Sequence, residues 1–192
     1  AVAQGYDPRA GADLWARMLR EEQTAKYASH STVFATHPAT QERLDDVRAA
    51  AAAIPNPPTK RNAAEFRSAT RPFLEDWLVA ELAQRRYASS QLVIQELLDD
   101  APPEDRGMLT FYLAESYRKH DAPGERDKAA GLYAQAVALP GAPAAAWREH
   151  GFALAKTGNT VQARDAFQRY LSIAPQAGDR AFVQRELDKL GG

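Results

Sequence analysis

The side chains that could carry chemistry in this chain are few, and their spacing is informative. Four histidines, His30, His37, His120 and His150, are the only imidazoles, and there is no cysteine. Thiolate nucleophiles, disulfides and Cys-ligated zinc are thereby excluded. No two histidines stand at the i, i+4 spacing of H-E-x-x-H, so this chain alone does not offer the paired imidazoles of a zinc helix. The acidic pairs Asp45-Asp46 and Asp99-Asp100 are adjacent in sequence. On a helix, neighbours point about 100° apart, whereas acid–base work needs carboxylates that converge in a cleft. A phosphate-binding glycine loop and a G-x-S-x-G elbow are both absent. By its own residues the chain reads as non-catalytic, with His120 solvated in a turn and His150 a packing or groove residue of a helix.

The elements that must position these residues are helices. Of 192 residues, 39 are Ala, against 8 Val and 3 Ile. The best helix former therefore dominates while strand formers are scarce, and an all-α chain is expected. Twenty-four basic residues oppose 25 acidic ones, leaving no excess to hold a phosphate backbone, so nucleic acid is an unlikely partner class. The uncharged stretch 49–59 holds one large apolar residue, Ile54, and is too short and too weakly apolar for a membrane span. Asp7-Pro8 reads as a helix opening, Asp7 capping and Pro8 in the first turn. Leu14, Trp15, Met18 and Leu19 then form one apolar stripe. A second helix over ATQERLDDVRAAAAAI puts Leu44 and Val47 inward. The proline-rich segment 55–62 is read as a linker. After it, Asn62 and Glu65 have the spacing of a capping box. The opening residues lack Met and an apolar leader, and read as a piece of a longer protein.

Beyond the linker a repeat emerges. Trp147, Gly151, Leu154, Gly158, Ala163, Phe167 and Pro175 fall at the offsets of the 34-residue tetratricopeptide repeat. Gly151 and Ala163 are small where two helices cross, and the large residues fill the space around the crossing. An earlier unit carries Leu113, Ala114, Tyr117, Ala129, Tyr133 and Ala136, with three residues inserted around 120–126. A divergent unit precedes it, with Leu78 where a small residue is expected and Tyr87, Ser90, Ile94 and Leu97 in its second helix. Asp179 should cap a last helix that closes the stack. About three repeats and a cap are expected, with domains at 1–54, 55–62 and 63–192.

In such a stack the first helices line a concave groove. Phe111, Glu115, Arg118 and Lys119 from the middle unit, and Arg148, Phe152, Ala155 and Lys156 from the last, are expected to face it. The surface mixes aromatic anchors with a modest positive balance and suits an extended or acidic segment of another protein. Whether Phe111 and Phe152 are instead covered by neighbouring helices stays open at this point.

The first fifty residues add a resemblance. Gly5-Tyr6-Asp7-Pro8 entering a helix, followed by Phe34, Thr36, His37, Pro38, Thr40, Glu42 and Arg43, resembles the C-terminal part of the M48 family of zinc metallopeptidases. The order of parts is similar to the secreted bacterial branch that ends in tetratricopeptide repeats. The family's H-E-x-x-H and third-ligand Glu have no counterpart here. The resemblance implies a non-catalytic C-terminal region, no cofactor in this chain, zinc in a parent protein, and a periplasmic location. It further implies a regulatory loop, His37 and Pro38 with Arg43, over the cleft of the missing domain, in which His37 could take the open zinc position and hold the site shut; the plainer reading, that His37 only caps its helix while Arg43 salt-bridges within the domain, stays open. Implied partners are protein substrates or the outer-membrane-protein assembly machinery. Two other readings stand beside it: a stand-alone repeat adaptor without a protease, and a small helical enzyme using these carboxylates and histidines.

Overall fold

The computed structural model describes residues 1–24 and 40–191. It is helical, and the described residues contain no β-strand. The helices are α1 (Arg9–Thr24), α2 (Thr40–Ala52), α3 (Ala63–Thr70), α4 (Leu74–Ala83), α5 (Tyr87–Asp99), α6 (Pro103–His120), α7 (Glu125–Val137), α8 (Ala144–Lys156), α9 (Thr160–Ile173) and α10 (Arg180–Lys189). No helix is long and apolar enough to cross a membrane among the described residues. The chain forms two compact units, Ala1–Trp77 and Leu78–Gly192, and the division falls inside α4.

In the first unit, α1 opens as its sequence dictates. The Asp7 carboxylate accepts the Arg9 backbone N–H at 3.0 Å, satisfying a donor that the first turn leaves without a helical partner. Helices α1 and α2 pack together, with Leu44 buried and Val47 half-buried. Gly11 permits the approach, since a Cβ there would lie 3.3 Å from Val47 Cγ1. The apolar stripe of α1 is divided rather than wholly inward. Trp15 and Leu19 are partly buried beside the buried Ala12, whereas Leu14 and Met18 are 57% and 41% exposed. The proline-rich segment 55–62 ends against the start of the chain. Asp7 N–H donates to the Lys60 carbonyl at 2.9 Å, Lys60 N–H donates to Gly5 at 3.3 Å, and Arg61 pairs with both Asp7 and Asp13.

The capping box at Asn62 does not form. The Asn62 backbone is left-handed at φ 50°, its side chain caps nothing, and its amide reaches instead to the Tyr6 hydroxyl at 3.5 Å.

In the second unit, helices α5 to α10 each pack on the next along the chain. The spacing of small residues explains the pairing. A Cβ on Gly151 of α8 would sit 2.6 Å from two ring carbons of Phe167 of α9, so only glycine lets the two helices close to this distance. Ala163 and Phe167 are fully buried at the same crossing. Leu113, Ala114, Ala129, Tyr133 and Ala136 are buried likewise between α6 and α7. The three residues inserted before Ala129 are shared out: α6 runs one residue further past Tyr117 than α8 runs past Leu154, the turn 121–124 is one longer than 157–159, and α7 starts one residue earlier relative to Ala129.

Successive pairs are locked by backbone. Gly107 N–H of α6 donates to the Pro140 carbonyl at 2.9 Å, and Gly141, at φ 76°, would place a Cβ 1.9 Å from the Glu104 carbonyl oxygen. A side chain at either glycine would drive the α7–α8 turn off α6. Leu78, in a position where the repeat expects a small residue, is 3% exposed, and Ser90 of α5 donates to Glu81 of α4 at 2.8 Å.

Candidate functional site

The second unit carries two linked polar clusters on α6 and α8, and they begin at Glu115 of α6. This carboxylate is 8% exposed, accepts a hydrogen bond from the Tyr133 hydroxyl of α7, and receives Arg118 through Nε at 2.8 Å and Nη2 at 2.6 Å. Burial alone would raise its pKa, but the Arg118 and Tyr133 hydrogen bonds outweigh burial and hold it below the ordinary glutamate value. Burial, reinforced by the Glu115 charge, pushes the Tyr133 hydroxyl far above its usual range. Glu115 therefore stays ionised and Tyr133 protonated at neutral pH. Neither is poised to exchange a proton, which removes this pair as an acid–base couple.

The next cluster is built on Arg148 of α8. It donates to Glu149 through Nε at 2.9 Å, pairs with Asp179 at the entrance to α10, and lies 5.8 Å from the Tyr170 ring centroid. Tyr170 also donates its hydroxyl to Asp179. Burial would raise the Asp179 carboxyl, and the Tyr170 and Arg148 hydrogen bonds instead hold it low. Asp179 was expected to cap α10. Its side chain makes no cap bond, because it is drawn sideways to Arg148 and Tyr170, and its carbonyl accepts from Phe182 and Val183 N–H instead. The two clusters communicate: the Glu149 charge acts on Arg118 as well as on Arg148.

Both arginines expected to give the surface a positive balance are thus spent on carboxylates. Phe111 is 5% exposed and packs its ring on Tyr112 and Tyr133, at 5.1 and 6.0 Å between centroids, so it belongs to the α6–α7 interior. Phe152 is half-buried. Its ring meets Phe167 edge-on at 4.9 Å and Phe182 of α10 at 5.8 Å. Lys119 and Lys156 are exposed, and neither has an ion pair among the described residues. Ala155 is partly buried.

The histidines divide. His120 is held in place, its Nδ1 2.8 Å from Glu125 Oε2 and its ring 5.9 Å from Tyr87, where simple solvation had been expected. His150 is partly buried, its Nδ1 finds no hydrogen-bond partner, and burial lowers its pKa, so the ring is neutral near pH 7. His37 and Pro38 lie outside the described residues. Arg43 lies over the Trp15 ring, 4.9 Å from its centroid. No group of three or more His, Asp or Glu side chains could hold a metal among the described residues. The donor set for a catalytic zinc is not met by them.

The residue that the groove reading passed over is Phe182, which is 45% exposed beside Phe152. Its signal was available: it stands one 34-residue period after Arg148, at the same offset of the unit that Pro175 opens. Tyr133, which donates to Glu115, was read only as a residue of a second helix, and Tyr170, which donates to Asp179, was not singled out. Comparison with protein-family models, with curated proteins and with solved structures finds no match to this chain.

Proposed function

We propose that this chain is a protein-binding scaffold of tetratricopeptide type, with about three helix pairs and a closing helix. The observation that carries the reading is the Gly151–Phe167 crossing, repeated in kind by Ala114 and Ala129 between α6 and α7. Short helix pairs that close over small residues and pack only on their sequence neighbours cannot bury their faces singly, and stacking leaves a run of first helices open to a partner. Glu115, Arg118, Arg148 and Phe152 line that run, stiffened by their own network. A stiff surface lowers the ordering cost of binding an extended segment.

The scaffold, in this reading, is the non-catalytic C-terminal region of a secreted, periplasmic zinc metallopeptidase of M48 type. It docks protein substrates or outer-membrane assembly partners, and His37 regulates access to zinc in the parent protein. Supporting this are the Gly5-Tyr6-Asp7-Pro8 entry, with Asp7 capping α1, and the fixed place of Arg43 over Trp15. Coding sequence upstream of Ala1 tests the attachment: an H-E-x-x-H motif within about a domain's length, roughly 100–200 residues, is expected, and its absence leaves a stand-alone adaptor. Selection of a phage-displayed random dodecapeptide library on the full chain tests the scaffold itself. Enrichment of sequences that bind saturably is expected; a library that yields no binder refutes it.

A further inference from the structure

The two clusters on the first helices leave charge unevenly distributed at the end of the second unit. Glu115, Glu149 and Asp179 are occupied by Arg118 and Arg148, and two of them also by the hydroxyls of Tyr133 and Tyr170. Two exposed cations nearby are in no ion pair among the described residues, though the Lys156 charge acts on Asp121. Lys156 follows Phe152 by one helical turn on α8, and Arg185 lies over the Phe182 ring at 6.0 Å from its centroid.

Between these cations lies an aromatic ledge. Phe167 is fully buried; Phe152 rests edge-on against it and is half-buried; Phe182 touches Phe152 and is 45% exposed. The ledge is thus rooted in the core at one end and open at the other, the arrangement of a binding anchor rather than of a stray surface residue. Exposed phenylalanine ordinarily costs solubility, and here the exposed Phe182 ring lies under the Arg185 guanidinium, with Lys156 one helical turn past Phe152 on α8.

We infer that the Phe152–Phe182 ledge, flanked by Lys156 and Arg185, is the principal docking point for an acidic linear segment of another protein, one that sets a large apolar side chain on the ledge and places carboxylates beside the two cations. The inference rests on the scaffold reading above and sharpens it by locating the contact and naming the partner's chemistry. An acidic segment fits because Glu115, Glu149 and Asp179 are already paired with Arg118 and Arg148, which leaves Arg185 and Lys156 as the cations nearest the rings that are in no ion pair among the described residues. A basic segment meets Lys156 and Arg185 directly and is repelled. A second copy of this chain would have to present such a segment itself.

The test uses peptides enriched from the dodecapeptide library, made with a fluorescent label, and titrated into the full chain by anisotropy. Enriched sequences are expected to carry Phe, Trp, Leu or Met within two or so positions of Asp or Glu. Phe182→Ala is expected to raise Kd about tenfold or more, as loss of an anchor does. Arg185→Glu should raise it several-fold at low salt and less at high salt, since exposed charges are screened. Phe182 is largely exposed, so the variant should fold, which circular dichroism checks; Phe182→Leu should retain most of the affinity and serves as the second variant. Enrichment of basic or uncharged sequences overturns the inference. So does binding that Phe182→Ala and Arg185→Glu both leave unchanged, in which case the scaffold reading survives and only the location fails. Concentration-dependent dimers in sedimentation that Phe182→Ala dissolves would assign the ledge to self-association and overturn it too.

Discussion

The guanidinium of Arg43 stacks on the indole of Trp15, 4.9 Å from the ring centroid, and joins α2 to α1. Arg43 belongs to the sequence pattern that resembles a metallopeptidase segment, so that pattern has a job inside this chain whatever lies upstream. A partly desolvated cation over an indole contributes about 0.5–2 kcal/mol. Arg43→Ala should lower the unfolding free energy measured in urea by that order, Arg43→Lys by less, and a double-mutant cycle with Trp15→Leu should give a coupling of about 0.5–1 kcal/mol. Additive single effects would show that the stacking contributes nothing.

The two glycine contacts of the second unit should respond unequally to an added methyl. At Gly151 the obstacle is a phenylalanine ring, which can tilt, and Gly151→Ala should cost about 1–3 kcal/mol. Phe167→Leu in the same chain should recover part of the loss. At Gly141 the obstacle is the Glu104 backbone and the residue is left-handed, so Gly141→Ala should cost about 3 kcal/mol or more, with no side-chain rescue. Denaturant unfolding followed by circular dichroism measures both, and equal losses would contradict the crossing geometry.

Glu115 makes the second unit acid-sensitive. Its folded pKa lies below the ordinary value of 4.5, so its contribution is complete above that pH and is lost as pH falls through the lower folded value. Glu115→Gln should therefore flatten the acid limb of the stability curve below about pH 4.5 and cost about 1–3 kcal/mol at pH 7, where Arg118 and Tyr133 keep one neutral amide oxygen in place of a charged carboxylate. An unchanged acid limb would remove Glu115 from the account.

His150 acts in the same direction, over a higher pH range. Its pKa falls on folding from the ordinary 6.5, so below that pH the unfolded chain takes up the proton more readily and stability declines. His150→Leu, which also removes a buried ring nitrogen without a partner, should stabilise the fold by about 1 kcal/mol at pH 7 and by more at pH 5. Thermal melts at the two pH values measure the difference; a loss of stability at both would mean that the imidazole makes a contact worth keeping.

Much of the helical framework was legible because it depends on local signals: Asp7-Pro8, the pairing of Gly151 with Phe167, and the buried Leu44 all follow from residue type and spacing. What escaped depended on a neighbour. Phe111 has a groove offset, yet Tyr133 and Tyr112 enclose it, and no single-helix register contains that information. Asn62 and Asp179 have the composition of caps, but each side chain found a tertiary partner worth more than the cap, Tyr6 in one case and Arg148 with Tyr170 in the other. Leu14 and Met18 extend the apolar stripe of α1 beyond the width that α2 covers. The groove residues Arg118 and Arg148 were read as a positive surface although Glu115 and Glu149 stand beside them on the same helices; only Asp179, from the entrance to α10, could not be placed next to Arg148 from spacing alone. Phe182 was missed although the repeat period reaches it, because the closing helix was read as a cover and not as a continuation of the lining.

The most direct test of the account is a map of amide chemical-shift changes when a selected acidic peptide is titrated into the isotopically labelled full chain. The largest changes are expected at Phe152, Lys156, Phe182 and Arg185, with smaller ones at Arg118 and Lys119 and little in residues 1–77. Changes confined to residues 1–77, or shifts of the ledge that appear equally with a peptide whose acids are replaced by lysines, would contradict it.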